Sequence, residues 1–452
     1  MGLGFPAITS QLLLKDSQLN LSESQVSWFA SITAITCPLG GLLSGYLSDL
    51  IGRKRTLILI DIISIISWII IGFSSRENVD VLFIQLMISR TIIGVIIGMS
   101  TTPAVMYTSE VCDPNIRGRL TMLSSPFFTA FGMLIIYLLG YLIPTLTNLY
   151  ANIFLIFQND YRMVSHFAAG ITLITLLVCI LIPESPVYLI NIDQTEQARK
   201  SLSILKRLRR NHPDIDEEIQ KMITNRNNSR RNSTSRMSWQ EFKKPQFYKP
   251  FSIMIFFFTI QQFSGIFTIF IYAAQFSIEA GVSIDEFLCT VIIGLIRCCT
   301  VIIVSFASDI YGRKPLATIS TVGMCLSMLG LVICSIFSIE LKQSSIFWLP
   351  TVFLFLFIFS GTFGVLTLPF AMIAEVYPQN MRGLAVGLTI FYAYMMSFIN
   401  VKTFTAVFSM FGSVIVFSFY GVVSLVGIAF AVMILPETKG KTLHEIECYF
   451  RK

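Results

Sequence analysis

Long apolar stretches alternate with short polar loops along most of this chain. A helix needs about 20 apolar residues to cross a bilayer, and lipid offers backbone amides no partner, which favours helices over strands. Residues 1–14 supply only half of such a span. The pattern predicts an all-α polytopic membrane protein with about twelve spans, the first of them truncated. The other predicted spans are 27–48, 56–74, 81–107, 120–143, 161–182, 251–275, 286–308, 315–337, 346–372, 384–408 and 412–435.

The short first segment, MGLGFPAITSQLLL, is not predicted to be a signal peptide. No basic region precedes it and no cleavage pattern follows it. Two explanations stay open. The sequence begins inside the first helix, or the protein has a naturally short form.

A polar stretch at 184–250 divides the apolar segments into two groups of six. It holds 14 Lys/Arg and eight acids. Helical spacing is present at 193–210, and the Asn/Ser/Arg-rich run at 225–238 is predicted to be disordered. The expected organisation is a first six-helix bundle at 1–183, a helical and disordered loop at 184–250, a second six-helix bundle at 251–436 and a tail at 437–452.

The basic residues fall mostly on one side of the predicted membrane. With this topology, 26 Lys/Arg lie in loops and the tail on one side and only four on the other. Because basic loops stay in the cytosol, this asymmetry predicts a cytosolic middle stretch and a cytosolic C-terminus, in a plasma-membrane protein. The same asymmetry explains the net charge of +7, so this charge does not predict nucleic-acid binding. The sequon at Asn20 then lies outside, where a glycan is expected.

Composition excludes an ordinary soluble domain and gives no support for an enzyme. The chain is 54% hydrophobic and 13% charged, with a mean hydropathy of +0.72. Its nine Cys and three His have no metal-binding spacing, and the Cys are expected to be small apolar packing residues. No catalytic triad pattern or phosphate-binding glycine loop is present. Neither a metal nor a cofactor is therefore predicted.

Three motifs recur in the same order in the two halves. Asp-x-x-Gly-Arg-Lys occurs at 49–54 and 309–314, an acid followed by Arg-Gly at 110–118 and 375–383, and Pro-Glu at 183–184 and 436–437. The offsets are 260, 265 and 253 residues, which chance does not readily produce. This is the plan of transporters whose parallel halves rock about a central site.

All the repeated motifs fall at predicted cytosolic helix ends, and each brings an acid and an arginine together. We expect a cytosolic gate, in which ion pairs between the two bundles hold that side shut and part when the halves rock. Plain anchoring by basic loops is the alternative explanation for the basic runs. The predicted gate residues are Asp49, Arg53, Glu110, Arg117, Glu184, Asp309, Arg313, Glu375, Arg382 and Glu437.

These motifs also carry a resemblance to a known family. GYLSDLIGRKR, SEVCDPNIRG, PESP, QQFSG, AEVYPQNMRG and PETKGKTLHEIE resemble the sugar porter branch of the major facilitator superfamily, over the whole chain. VKTF at 401–404 and the last motif resemble most the insect facilitated trehalose transporters. The resemblance implies a twelve-helix carrier that moves a sugar down its gradient by alternating access. A monomer is expected.

The resemblance also implies where a sugar would bind. Gln261 and Gln262 match the paired sugar-binding amides of the family, although such amides could also join helices. Several matching positions depart from the family pattern. Phe267 replaces an Asn, Ser125 a Gln, Phe370 a Trp and Tyr394 another Trp, while Tyr272 ends the motif of the seventh helix. The membrane scaffold is expected, but an ordinary hexose site is in question.

Arg297 is the sharpest departure, because the family has an Asn there. An arginine at mid-depth costs about 2.5–3.5 kcal/mol on insertion scales, so it is expected to avoid lipid. Two interpretations stay open. Arg297 either bonds to carbonyls at helix ends, or lines the central cavity with Gln261 and Gln262 and donates to substrate oxygens, where an anion would gain most.

Three further residues bear on whether transport is coupled to protons. Proton-driven relatives pair an Asp of the first helix with an Arg of the fourth, and here Arg90 is present while the Asp position matches Gly4. Asp61 is expected to reach the cytosolic charge layer. A facilitative (uniport) sugar transporter for trehalose or a hexose is therefore favoured. The alternatives are a carrier of the same fold for a non-sugar or anionic solute, and a nontransporting sugar sensor.

Overall fold

The computed structural model describes residues 1–15, 21–75, 78–112, 114–149, 161–209, 212–232, 245–337, 346–377, 382–439, 441 and 443–451. Across these ranges all the assigned regular structure is helical. The helices are α1 (Phe5–Lys15), α2 (Glu23–Ile51), α3 (Arg53–Gly72), α4 (Val79–Val111), α5 (Pro114–Leu149), α6 (Tyr161–Leu181), α7 (Pro186–Asn191), α8 (Thr195–Lys206), α9 (Pro213–Asn232), α10 (Pro245–Phe263), α11 (Ile266–Ile271), α12 (Ala273–Glu279), α13 (Glu286–Tyr311), α14 (Arg313–Ile336), α15 (Leu349–Phe363), α16 (Leu368–Val376), α17 (Arg382–Met433) and α18 (Leu443–Arg451).

The helices follow the predicted spans. Within the described ranges, nine helical stretches are long and apolar enough to cross a membrane. The longest stretch, Leu384–Met433, covers two predicted spans. The two are separated by a kink at Gly412, where the backbone leaves the helical region at φ +75°. The first apolar helix, Phe5–Leu14, is shorter than a span.

The seventh predicted span, 251–275, is broken into α10, α11 and α12, which the apolar pattern did not predict. Gly265 is left-handed at φ +84°, and a Cβ there would lie 2.5 Å from the ring of Tyr420. The neighbouring ring therefore requires glycine at the break. The span at 346–372 is likewise divided between α15 and α16, with 364–367 outside both helices. Such breaks leave backbone carbonyls that need other partners.

Helices of each half pack closely through glycines. In the first half (α1–α6), α2 contacts α4, and a Cβ at Gly98 would lie only 1.9 Å from the carbonyl oxygen of Cys37. Small residues at such crossings let helix backbones approach in a membrane. In the second half (α10–α17), α14 packs against α15 and α17. The two halves meet along α5 with α13 and α2 with α17.

The polar middle forms a small helical unit, α7–α9, around its own apolar cluster, which includes Tyr188, Leu202 and Ile215. The predicted helix at 193–210 is present as α8. The predicted disorder from residue 225 is wrong as far as Asn232, where α9 ends. Arg226 of α9 pairs with Asp193 at 2.6 Å, and the apolar face of α9 is covered by the cluster. These contacts explain why a polar run is helical here.

Candidate functional site

The first repeated motif forms a clamp between the end of α6 and the start of α3. Oε1 of Glu184 accepts the backbone N–H groups of Arg53 (3.1 Å) and Lys54 (3.0 Å). A helix start leaves N–H groups unpaired and favours negative charge, so this carboxylate caps α3. Gly52 has φ +100°, and a Cβ there would lie 2.4 Å from Oε2 of Glu184. The turn therefore requires glycine.

The second half repeats this clamp at the start of α14. Glu437 accepts the backbone N–H groups of Arg313 and Lys314, both at 3.0 Å. Gly312 has φ +90°, and a Cβ there would lie 2.6 Å from Glu437. Burial alone would raise the pKa of Glu437, but backbone N–H donors, that of Arg313 foremost, outweigh burial and hold the pKa below its usual value.

The guanidinium groups of the two clamps pair with acids of their own half. Arg53 contacts Glu110 at 3.0 Å and Asp49 at 3.2 Å, and Arg313 contacts Glu375 at 2.7 Å. The expectation that these pairs join the two bundles is therefore wrong for these contacts. The Arg53 side chain is also deeply buried, with only 4% of it exposed. The side chains of Arg117, Asp309 and Arg382 lie outside the described residues.

The acids of the clamps have further partners within the same half. The hydroxyl of Ser185 donates to Glu110, and that of Thr438 donates to Oε2 of Glu375 at 2.5 Å. Asp61, expected to reach this charge layer, interacts with Thr175 and Cys179 near the same end of α6. We call the end of the molecule that carries both clamps the basic end.

The two halves are joined at the end opposite to the basic end. Trp28 on α2 lies about 30 Å from Asp49 along that helix at 1.5 Å per residue. Its ring lies 5.9 Å from that of Phe398 and 4.4 Å from the ammonium nitrogen of Lys402, both on α17. Lys402 also donates to the carbonyl of Ser24 at 3.2 Å. We call the contacts of Ser24, Trp28, Phe398 and Lys402 the seal.

A cavity of about 120 Å³ lies next to the seal, lined by side chains of both halves. Glu23 comes from α2, Gln275 and Glu279 from α12, and Thr405 from α17. Tyr272, one of the predicted binding residues, also lines it, stacks on Phe404 with centroids 5.2 Å apart and is almost fully buried.

Gln261 is used within the protein. Its amide nitrogen donates to the carbonyls of Val365 and Leu366, both at 2.9 Å. These carbonyls belong to the break between α15 and α16, so Gln261 satisfies groups that the interrupted helix leaves unpaired. Gln261 therefore joins helices, as one of the two interpretations of the sequence allowed.

Gln262 has a free acceptor. Its amide nitrogen donates to Oε1 of Gln261 at 3.1 Å, while its own Oε1 is buried without a hydrogen-bond partner in the described structure. The backbone carbonyl of Gln262 accepts the side-chain amide of Asn400, which also donates to Thr268 at 2.9 Å. Asn400 was missed in the sequence, although a buried amide within an apolar run is a signal for such a role.

Arg297 lies where the two halves meet. One guanidinium nitrogen contacts Sδ of Met133 on α5 at 2.7 Å, and the guanidinium carbon lies 4.3 Å above the ring of Phe270 on α11. Beside it, the hydroxyl of Tyr137 on α5 donates to the carbonyl of Phe270 at 2.7 Å. Among the described residues, no carbonyl or carboxylate accepts from Arg297.

The remaining predicted binding residues are dispersed. Phe267 is half-buried against the apolar core, and Phe370 is 40% exposed with its ring edge on Phe258. Tyr394 on α17 hydrogen-bonds with the thiol of Cys37 on α2, which links the two halves. The side chain of Ser125 and the glycan site at Asn20 lie outside the described residues.

Arg90 is fully buried but well satisfied. Its guanidinium donates to the carbonyls of Gly2 (2.6 Å) and Phe29 (3.2 Å) and to the hydroxyl of Thr33 (3.3 Å). No acid within the described ranges forms an ion pair with it. Backbone carbonyls and a hydroxyl therefore surround Arg90, where a carboxylate was considered from the sequence.

Comparisons with known proteins identify the family to which this chain belongs. The family described as "Sugar (and other) transporter" matches residues 7–450, and the chain belongs to this family. It is 28% identical over 456 residues to the facilitated trehalose transporter Tret1 of Culex quinquefasciatus, covering 99% of this chain and 83% of that protein. Against Tret1 of Aedes aegypti the identity is also 28%, but the chain spans only 53% of that longer protein.

Solved structures agree on the fold. The inward open conformation of the xylose transporter XylE from E. coli superposes with a TM-score of 0.79 at 22% identity, over 99% of this chain and 97% of that one. XylE, the major facilitator superfamily proton:xylose symporter, bound to 6-bromo-6-deoxy-D-glucose superposes at 0.73 and 22% identity, over 99% and 96%. The predicted major facilitator fold is confirmed.

Proposed function

We propose that this chain is a facilitative transporter of a hydroxyl-rich solute, trehalose or a hexose, that works by alternating access. The observation that carries the proposal is the asymmetric closure of the interface. The halves are joined across the seal by Trp28 and Lys402, while both described clamp pairs stay inside their own half. The contacts across the seal are few, so rocking of the halves can break them without unfolding either half.

The broken seventh span supplies polar groups in an otherwise apolar interior. Non-helical backbone at membrane depth is tolerated where protein or a cavity satisfies it. Here Asn400 donates to the carbonyl of Gln262 in the broken seventh span, and Gln261 donates to carbonyls at the break between α15 and α16. Gln262 retains a free acceptor oxygen for a hydroxyl donor. The names of the trehalose and xylose transporters that this chain resembles support a sugar as the solute.

Uniport is favoured by the environment of Arg90. A proton relay needs a carboxylate or another titratable partner, whereas the described acceptors of Arg90 are two carbonyls and a hydroxyl. These acceptors do not titrate in the physiological range. A carrier without such a relay equilibrates its solute and does not accumulate it.

The orientation follows from charge. We propose that the basic end, the middle helices α7–α9 and the C-terminus are cytosolic, because basic loops are retained on that side. The protein would act as a monomer in the plasma membrane, with the seal facing outward and Asn20 glycosylated. As a carrier and not an enzyme, it would release its solute chemically unchanged.

The test is uptake into proteoliposomes that contain the purified chain. Labelled trehalose and glucose are supplied with and without a pH gradient, and protein-free vesicles are the control. We expect saturable uptake that stops at equal concentrations inside and outside and ignores the gradient, with the recovered sugar unaltered. Accumulation driven by pH would disprove uniport, and absence of flux for both sugars would disprove the sugar assignment.

A further inference from the structure

Arg297 is a buried cation placed between the two halves of the molecule. It lies on α13 of the second half and touches Met133 of α5 in the first half. Only 7% of the residue is exposed. Removing a guanidinium from water is costly unless an acceptor replaces the water. The partners that it has in this structure are therefore informative.

Those partners leave its hydrogen-bonding capacity largely unused. A guanidinium has five N–H donors, but among the described residues Arg297 meets one thioether sulfur and one ring face, and its Nε has no partner there. A thioether is a weak acceptor. Arg90 provides an internal comparison, because it is equally deep and is met by three oxygen acceptors. Arg90 is thus satisfied by the fold, whereas Arg297 is not.

Gln262 has the opposite need, because its side-chain oxygen lacks a hydrogen-bond donor within the described part of the chain. Gln261 must direct its amide nitrogen at two carbonyls, so its Oε1 can only accept. Gln262 must therefore donate its nitrogen to that oxygen, which leaves its own Oε1 as a buried acceptor without a donor. The hydrogen-bond network determines this assignment of nitrogen and oxygen. Among the described residues, Arg297 thus lacks an anionic acceptor and Gln262 lacks a hydroxyl donor.

We propose that the transporter also accepts a hydroxylated monocarboxylate, a sugar acid, whose carboxylate binds Arg297 and whose hydroxyl donates to Gln262. This inference rests on the proposed function, a facilitative sugar transporter that works by alternating access. A planar carboxylate matches the guanidinium fork. Hydroxyl groups satisfy the amide acceptor that a simple anion would leave unpaired.

Charge movement distinguishes a sugar acid from a neutral sugar. A uniporter that carries a monoanion moves net charge, so its flux responds to membrane potential. Flux of a neutral sugar through the same protein does not transfer solute charge. An inside-positive potential should therefore increase sugar-acid uptake and leave the final level of neutral sugar unchanged.

The experiment compares glucuronate with glucose, which share a ring and differ at one carbon. Both are supplied labelled to proteoliposomes that contain wild-type protein, Arg297→Ala, Arg297→Gln, Arg297→Lys or Cys299→Ser. Cys299 lies two residues further along the same helix, is exposed and serves as the matched control. Thermal stabilisation of each purified variant by glucuronate and by glucose measures binding without transport.

The expected result is a lower KM for glucuronate than for glucose in the wild type, and uptake driven by an inside-positive potential. Arg297→Ala and Arg297→Gln should raise the KM for glucuronate about ten- to a hundredfold, the value of a charged hydrogen bond, with a much smaller change for glucose. Arg297→Lys should recover part of the loss. Cys299→Ser should match the wild type.

Other outcomes overturn the inference in distinguishable ways. If wild-type protein moves glucose but neither binds nor moves glucuronate, the sugar-acid proposal fails and sugar transport stands. Equal effects of Arg297→Gln on the two solutes would also refute it. If neither glucuronate nor glucose is bound or moved, and labelled trehalose is not moved either, the proposed function fails with it. Should the Arg297 variants not fold, the wild-type preference between the two solutes decides.

Discussion

The backbone nitrogen of Arg53 lies 3.1 Å from the carboxylate of Glu184, although 131 residues separate them in the sequence. Arg313 and Glu437 repeat this relationship at 3.0 Å across 124 residues. In each half, the acid after the last span returns to cap the helix that follows the Gly-Arg-Lys turn. The repeated Pro-Glu motif is thus explained as a helix cap. It ties the α2–α3 turn of the first half, and the α13–α14 turn of the second half, to the segment that follows the last span of the same half.

The clamp predicts that Gly312→Ala destabilises the second half. The new Cβ would be forced into φ +90° and would displace the carboxylate of Glu437. Strain of this kind costs about 1–3 kcal/mol, and loss of a cap about 0.5–2 kcal/mol. The midpoint of thermal unfolding in detergent should fall. Gly52→Ala should behave in the same way in the first half.

Two glycines separate the causes of that loss. Gly412 has φ +75° with open space around it, so Gly412→Ala should show the strain alone. Gly45 is helical, and nothing lies within 4 Å of an added Cβ, so Gly45→Ala should be neutral or stabilising by about 0.5–1 kcal/mol. A Gly312→Ala protein as stable as Gly45→Ala would contradict the clamp.

The burial of Arg53 predicts a stability effect where an exposed ion pair would give little. Breaking a buried pair by removing one partner costs about 3–5 kcal/mol, whereas an exposed pair contributes about 0–1 kcal/mol. Arg53→Ala leaves Glu110 partly buried without its cation, and the thermal midpoint should drop. The double variant Arg53→Ala with Glu110→Gln should recover part of the lost thermal stability. A single variant with unchanged stability and surface expression would argue against this assignment.

The seal predicts that Trp28→Ala shifts the population towards a conformation open at that end. The change removes a ring pair with Phe398 and a cation–π contact with Lys402, together worth about 1–3 kcal/mol. A cysteine introduced at Gln275 should then react several-fold faster with a membrane-impermeant thiol reagent. Phe411→Ala, at an exposed aromatic, is the control. Equal labelling rates in the two variants would disprove the seal.

The two adjacent glutamines should give different phenotypes. Gln261→Ala leaves the carbonyls of Val365 and Leu366 without a donor, at a cost of about 1–3 kcal/mol each for a buried group, so thermal stability should fall. Gln262→Ala removes a free acceptor and the single donor to Oε1 of Gln261, so it should raise KM for the solute with a smaller loss of stability than Gln261→Ala. The comparison needs both unfolding curves and uptake kinetics. Identical profiles for the two variants would refute the division of roles.

Much of the architecture was predictable from the sequence by itself. The length and hydropathy of a span are local properties, because each helix satisfies its own backbone in lipid. The repeat of Asp49–Lys54 at 309–314 was visible without coordinates, and so was the charge asymmetry of the loops. The break at Gly265 was missed, because an apolar run does not reveal which ring will press against a glycine.

Only the tertiary structure decided which polar groups are partners. The sequence showed that Arg53 and Glu110 belong to repeated motifs, but not that they pair within one half. Gln261 and Gln262 are adjacent and identical in chemistry, yet one caps a broken helix and the other retains an acceptor. Arg90 and Arg297 likewise differ in their acceptors. Hydropathy is encoded residue by residue, whereas hydrogen-bond partners depend on distances between helices that lie far apart in the chain.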